Sequence, residues 1–114
     1  MKKIEAYIQH RYLPRVVDAL EGMRSFPGLT VLEVLGHGSG PETAEDYQLT
    51  EQNISFHRRN LVQIVADDSQ AEEIVNLIRS AAHSGSVGDG MIIVTQVESA
   101  IRIRTGENLP PPQL

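Results

Sequence analysis

The sequence predicts one α+β domain with the element order βαββαβ, and three observations predict it. Period-two alternation opens the chain, two stretches carry apolar residues at helical spacing, and β-branched runs surround the second of them. Ile4, Ala6 and Ile8 alternate with Glu5, Tyr7 and Gln9, so Lys2 to Gln9 is a strand with one face inward. Leu13, Val16, Val17, Leu20 and Met23 then follow the period of a helix. Pro14 fits its first turn, where a missing N–H costs nothing, and Pro27-Gly28 ends it. Thr30 to Leu35 is β-branched and apolar, a second strand running into Gly36-His37-Gly38-Ser39-Gly40-Pro41.

From Gly36 to about Ser55 the chain is polar, acidic at Glu42, Glu45, Asp46 and Glu51, and without either period, which predicts a long exposed loop of the kind that carries function. Leu61 to Ala66 is the third strand. Asp67-Asp68-Ser69 with Glu72 reads as a capping box ahead of Ile74, Val75, Ile78 and Ala82, the second helix. Gly85 stops it, Ser86 to Gly90 forms a glycine-bearing turn, and Met91 to Val97 is the fourth strand. This is the split βαβ order of ferredoxin-like folds, an antiparallel four-stranded sheet with both helices on one face. No third long helix is available for the other face, so a further copy of the same sheet is its expected cover. The tail Asn108 to Leu114, with Pro110-Pro111-Pro112, joins neither ladder nor helix and is expected to be extended.

Composition narrows the function. The 114 residues hold ten leucines, ten isoleucines, ten valines and two phenylalanines, enough for a core but a modest one. A domain of this size buries only about 60 to 70% of its extended surface, which again favours partner subunits. The absence of cysteine excludes disulfides, thiolate metal sites and cysteine nucleophiles, and fits a reducing compartment. Glu5, Gln9, His10 and Arg11 interrupt any apolar run after Met1-Lys2-Lys3, and no stretch approaches the ~20 apolar residues of a membrane span. Fifteen acidic against ten basic residues give a net charge of -5, the wrong sign for a nucleic-acid footprint. A cytoplasmic protein with neither nucleic-acid binding nor membrane insertion is the expectation.

Three segments carry candidate chemistry. In Gly85-Ser86-Val87-Gly88-Asp89-Gly90 the glycines let backbone N–H groups approach a phosphate, although neither a Walker A nor a Gly-x-Gly-x-x-Gly pattern is present, and on spacing alone an ordinary C-cap and turn is favoured. Strand-like alternation in Arg102-Ile103-Arg104 puts both guanidinium groups on one face, suited to a polyphosphate or equally to a solvated edge. His57-Arg58-Arg59 is a local positive patch in an acidic protein. His10 and His37 fall beside strand ends, where an anion or a metal could be met, but no metal-ligand spacing is satisfied. No nucleophile elbow and no His-Glu-x-x-His pair exists, so no catalytic residue and no enzymatic activity is assigned.

Along almost its whole length the chain resembles the PII signal-transduction family. The resemblance is carried by Met1 to Ala6, Thr30-Val31 with Glu33-Val34, the Gly36-x-Gly38 pair, Gly88-Asp89-Gly90 and above all Ala100 to Glu107, Ala-Ile-Arg-Ile-Arg-Thr-Gly-Glu. It implies a ferredoxin-like homotrimer over residues 1–107 that binds an adenine nucleotide in each cleft between subunits. A B-loop at about 83–90 would hold phosphate, and a T-loop at about 37–56 would contact a target protein. Carried over by position, Gly36, His37, Gly38, Ser84, Gly88, Asp89, Gly90, Met91, Arg102 and Arg104 line the nucleotide cleft, with Ile8 and Thr30 beside the base.

The chain also departs from the family pattern. Met91 replaces the lysine that usually follows Gly-Asp-Gly, Gly40 replaces the glutamine that helps hold magnesium, ATP and 2-oxoglutarate, and Gln52 replaces the loop-tip tyrosine that is uridylylated. Tyr47 survives in the loop. Gln9 or His10 and His37 stand where the family has lysine and phenylalanine, and the loop returns through Arg58-Arg59. Charge-assisted phosphate contacts are worth ~1.5 to 3 kcal/mol each, so losing one cation predicts ADP or AMP over ATP. His10, His37, Arg58 and Arg59 are the candidates for a small anion such as bicarbonate, which the family's carboxysome- and bicarbonate-transport-linked members suggest. The alternative is a standard nitrogen-regulatory PII protein sensing ATP and 2-oxoglutarate.

Overall fold

The computed structural model describes residues 1–38, 46–49 and 54–109, with backbone alone at 46–49 and 54–55. Its elements are β1 (Lys2–Gln9), a 3₁₀ turn (His10–Tyr12), α1 (Leu13–Glu21), β2 (Thr30–Gly36), β3 (Asp46–Leu49), β4 (Ile54–Ala66), α2 (Asp68–Ala82) and β5 (Met91–Gln96). The sheet runs β2-β4-β1-β5 with every neighbouring pair antiparallel, and β3 adds to β4. This is the α+β, ferredoxin-like arrangement expected from the order of the elements.

The alternation in β1 sets which face is covered. Ile4, Ala6 and Ile8 are buried, and through the register they meet Ile64, Val62 and Asn60 of β4. Val16 and Leu20 of α1 and Ala71, Ile74, Ile78 and Ala82 of α2 close over this face at helical spacing. Each fully buried isoleucine or leucine contributes about 1.5 to 3 kcal/mol, so this one layer accounts for most of the stabilisation.

The other face is open. Register places Leu32, Leu61, Tyr7 and Met91 in one row across it, with Val34, Arg59 and Gln9 in the row toward the end of β1. Leu32, Val65 and Ile93 on this face are 42%, 40% and 38% exposed, too much apolar surface for a sheet meant to face water alone.

Four expectations change. The stretch read as one loop from Gly36 to Ser55 contains β3 and the start of β4, because β4 begins seven residues before Leu61. His57 pairs with both Gly36 and Asp46, so β3 lies on the opposite side of β4 from β2, in line with β1. The two strands thus leave the sheet as a ribbon; 39–45 and 50–53, including Gly40 and Gln52, lie outside the described residues.

Helix α1 ends at Glu21 with Gly22 as its cap, short of Pro27-Gly28, although Met23 still reaches the core. No capping box forms at α2: Asp67 makes no side-chain cap, and Asp68 instead takes the Met1 ammonium at 2.9 Å. That contact, led by the hydrogen bond from the ammonium group, holds the Asp68 carboxyl below its ordinary value. At the C-terminus Ile101 bridges Asn108, and Leu109 N–H donates to the Ala100 carbonyl, so the first residues of the expected tail belong to a hairpin. Residues 110–114, with the three prolines, lie outside the described residues.

Candidate functional site

The site is built around the turn between α2 and β5. Asp89 organises it: one carboxylate oxygen accepts the N–H groups of Ser84 at 2.9 Å and Gly85 at 3.0 Å. The other accepts the Ser84 hydroxyl, and more weakly that of Ser86 at 3.4 Å. The Ser84 hydroxyl and these N–H groups hold the Asp89 carboxyl down to about 2. Its charge is therefore directed into the turn's own backbone.

Two contacts press the turn onto the end of β1. The buried Gln9 donates its side-chain N–H to the Gly88 carbonyl at 2.8 Å. At Gly90, φ is +98°, and a Cβ built there would lie 1.8 Å from the Tyr7 carbonyl oxygen, so only glycine fits. At Gly88 a Cβ would stand 3.2 Å from Gln9 Nε2, a tight contact, and 3.6 Å from Arg59 Nη2, an ordinary one, so both side chains lie against the turn there. Turn, Gln9, Arg59 and the row Tyr7–Met91 thus meet at one end of the open face.

Beneath the turn on the helix side lies a cavity of about 320 Å³ walled by Ile8, Ile78, Ala82 and Ile92, with Arg79 and His83 also lining it. Ile8 reaches the site only as this wall, because its side chain is 2% exposed and belongs to the core. Tyr7 and Gln9 are the β1 residues on the turn's side, and β1 alternation alone was enough to find them. Thr30 shares the open face but pairs with Gln63, four residues along β2 from Val34, roughly 13 Å from the turn's end of the sheet. Met91 is exposed and pairs with Tyr7. Gly36 closes β2 opposite His57, and Gly38 has open space around it.

The two arginines of the C-terminal signature are placed differently from the strand reading. Ile103 to Thr105 form a turn, closed by Gly106 N–H on the Arg102 carbonyl at 2.7 Å and by Arg102 N–H on the Glu107 carbonyl at 2.9 Å. The expected one-face alternation is therefore absent. Arg102 Nε lies 3.9 Å from Glu107 Oε1, Arg104 is exposed, and Ile103 is wholly exposed. Among the described residues, the backbone hydrogen bonds of this hairpin run within it and not to the 84–90 turn.

The four small-anion candidates are spread rather than gathered. His10 Nδ1 and the buried Asn60 Oδ1 are 2.8 Å apart, a bond in which the ring N–H donates. The His37 ring meets Phe56 with centroids 5.6 Å apart at the root of the ribbon. Arg58 and Arg59 pair with Leu35 and Val34 and so take opposite faces of β4, splitting the expected patch. Tyr47 is on β3, where only the backbone is described. No group of three or more metal-ligating side chains exists among the described residues, and no described helix is long and apolar enough to cross a membrane.

The chain is thus a ferredoxin-like domain with a fastened glycine turn at one end of its sheet and a ribbon leaving beside it. The family model for nitrogen regulatory protein P-II matches residues 1–107, and the chain belongs to the P-II family. It is 42% identical to the nitrogen regulatory protein P-II of Nostoc punctiforme over 107 residues, 94% of this chain and 95% of the relative. The proteins of the same name from Azospirillum brasilense and Rhizobium meliloti are 41% and 42% identical over the same shares. The P-II proteins are regulators, and the chain is a member of that signalling family.

Proposed function

We propose that this protein is a non-enzymatic, cytoplasmic sensor of adenine nucleotides that works as a homotrimer and controls a partner protein through residues 37–56. The observation that carries the reading is the 84–90 turn. Its carboxylate is committed to the N–H groups of Ser84 and Gly85, and Gln9 and Tyr7 fasten the turn, through Gly88 and Gly90, beside an apolar row where a base can lie. Arg102 and Arg104 sit on a separately bonded hairpin with an exposed Ile103, as expected of residues that complete the site of an adjacent subunit. ADP or AMP is favoured over ATP because Met91 brings no charge to the turn. Bicarbonate is the proposed co-ligand; His10, His37, Arg58 and Arg59 do not gather into one site for it, so its place among them is for the titration to find. A bicarbonate transporter or a carboxysome component is the proposed class of target.

A second reading is favoured by the names of the relatives: a nitrogen regulator responding to ATP and 2-oxoglutarate. Gly40 and Gln52 speak against it, since neither supplies the side chain that such a response uses. Isothermal titration of AMP, ADP and ATP, with and without bicarbonate and then with magnesium and 2-oxoglutarate, decides between them. ADP or AMP binding that bicarbonate tightens supports the first reading. Binding of magnesium–ATP only together with 2-oxoglutarate supports the second, and no adenine-nucleotide binding at all sinks both.

A further inference from the structure

We infer that Arg59 is the phosphate-directed cation of this site and sets its preference for a diphosphate over a monophosphate, an inference that rests on the adenine-nucleotide reading. The β4 register puts Arg59 across from Gln9 on one side and Val34 on the other, on the face over which the turn closes. One arm of its guanidinium is fixed, Nη1 donating to the Arg58 carbonyl at 2.8 Å. The other arm, Nη2, comes within 3.6 Å of the point where a Gly88 Cβ would stand. The guanidinium therefore lies against the turn at Gly88, at ordinary contact distance.

The neighbouring charges do not serve this purpose. Met91 is a thioether, and the Asp89 carboxylate faces Ser84 and Gly85. Arg79 borders the turn from the cavity on the helix side, and Arg58 is turned to the other face of β4. A second phosphate extending over the Gly88 end of the turn would meet the Nη2 side of the guanidinium, a charge-assisted contact that a monophosphate is too short to make.

Calorimetry of ADP, AMP and inorganic tripolyphosphate is to be run on the unmodified protein and on Arg59→Gln, Arg59→Lys and the remote, exposed Arg24→Gln. Arg59→Gln should weaken ADP about ten-fold or more while changing AMP less than about three-fold; Arg59→Lys should retain part of the ADP affinity, and Arg24→Gln should change neither. Equal losses for ADP and AMP, or none, overturn the assignment while leaving the nucleotide reading intact. Arg59-dependent binding of tripolyphosphate without any adenine-nucleotide binding keeps the phosphate role and removes the nucleotide reading. Absence of binding by all three ligands removes both. If Arg59→Gln does not fold, the ADP-to-AMP ratio of Arg59→Lys decides, and an unchanged ratio counts against Arg59.

Discussion

The Gly90 backbone rests against the Tyr7 carbonyl so closely that a Cβ would lie 1.8 Å from that oxygen, at a φ of +98°. Two penalties therefore coincide there, a left-handed conformation costing roughly 1 to 2 kcal/mol for any other residue and a backbone clash that forces the turn off β1. Gly90→Ala should lower unfolding free energy by about 2 to 4 kcal/mol in urea titrations and abolish nucleotide binding. Gly106→Ala, with φ +73° but nothing within 4 Å of the new atom, should cost only about 1 kcal/mol. Equal losses at the two positions would contradict the close approach.

Asp89 gives the turn a pH dependence of predictable sign. Hydrogen bonds from Ser84, and then from Gly85, depress its folded-state value from 3.8 to about 2. A depressed carboxyl stabilises the fold above its unfolded value and loses that contribution as protons are taken up. The turn should therefore be intact above pH ~4 and loosen as pH falls through about 2. The Ser84 and Gly85 amide resonances should titrate with a midpoint near 2, and should not titrate in this window in Asp89→Asn. A midpoint near the ordinary carboxylate value in the unmodified protein would mean that these bonds are not made in solution.

Gln9 holds the same turn from the other side. Gln9→Leu keeps the bulk but leaves the Gly88 carbonyl without its donor, at a cost of about 1 kcal/mol. Gln9→Glu is the sharper change, since it sets a carboxylate against a carbonyl oxygen and beside the proposed phosphate position. It should remove measurable ADP binding at neutral pH while the protein keeps its far-UV circular dichroism. Retained ADP affinity in Gln9→Glu would place the ligand elsewhere.

The core was legible because its signal is local. Ile4, Ala6 and Ile8 announce a covered face by alternation, and Ile74, Ile78 and Ala82 announce a helix by period, whatever lies across from them. The ribbon of β3 and β4 was not legible, because Asp46 to Leu49 alternates over only four residues, has no β-branched residue among them, and is held by the backbone ladder to His57 through Ile54. Ile101 to Arg104 has the alternation of a strand, yet Gly106 at φ +73° and the bonds of Arg102 to residues 106 and 107 make a tight hairpin. Its Thr-Gly pair was the available turn signal. The meeting of Gln9, Arg59 and Gly88 joins three segments far apart in sequence, so only register and the fold of the turn bring it into view.

The open face makes the last prediction. Leu32, Leu61, Tyr7 and Met91 form a row that no helix covers, with Val65 and Ile93 exposed beside it, while the helices spend their apolar stripes on the opposite face. Fully covering a leucine or isoleucine is worth about 1.5 to 3 kcal/mol, and covering these partly exposed ones correspondingly less, so the contact between three subunits must draw on several of them at once. The unmodified protein should sediment as a trimer at micromolar concentration. Leu32→Glu should sediment as a monomer with unchanged helix content, because Leu32 takes no part in the core beneath α1 and α2. On the proposed reading it should also lose nucleotide affinity, since Arg102 and Arg104, proposed to complete an adjacent subunit's site, then have no neighbouring turn to serve. A monomer that binds ADP as well as the unmodified protein would show that one chain holds the whole site and that the hairpin arginines are not part of it.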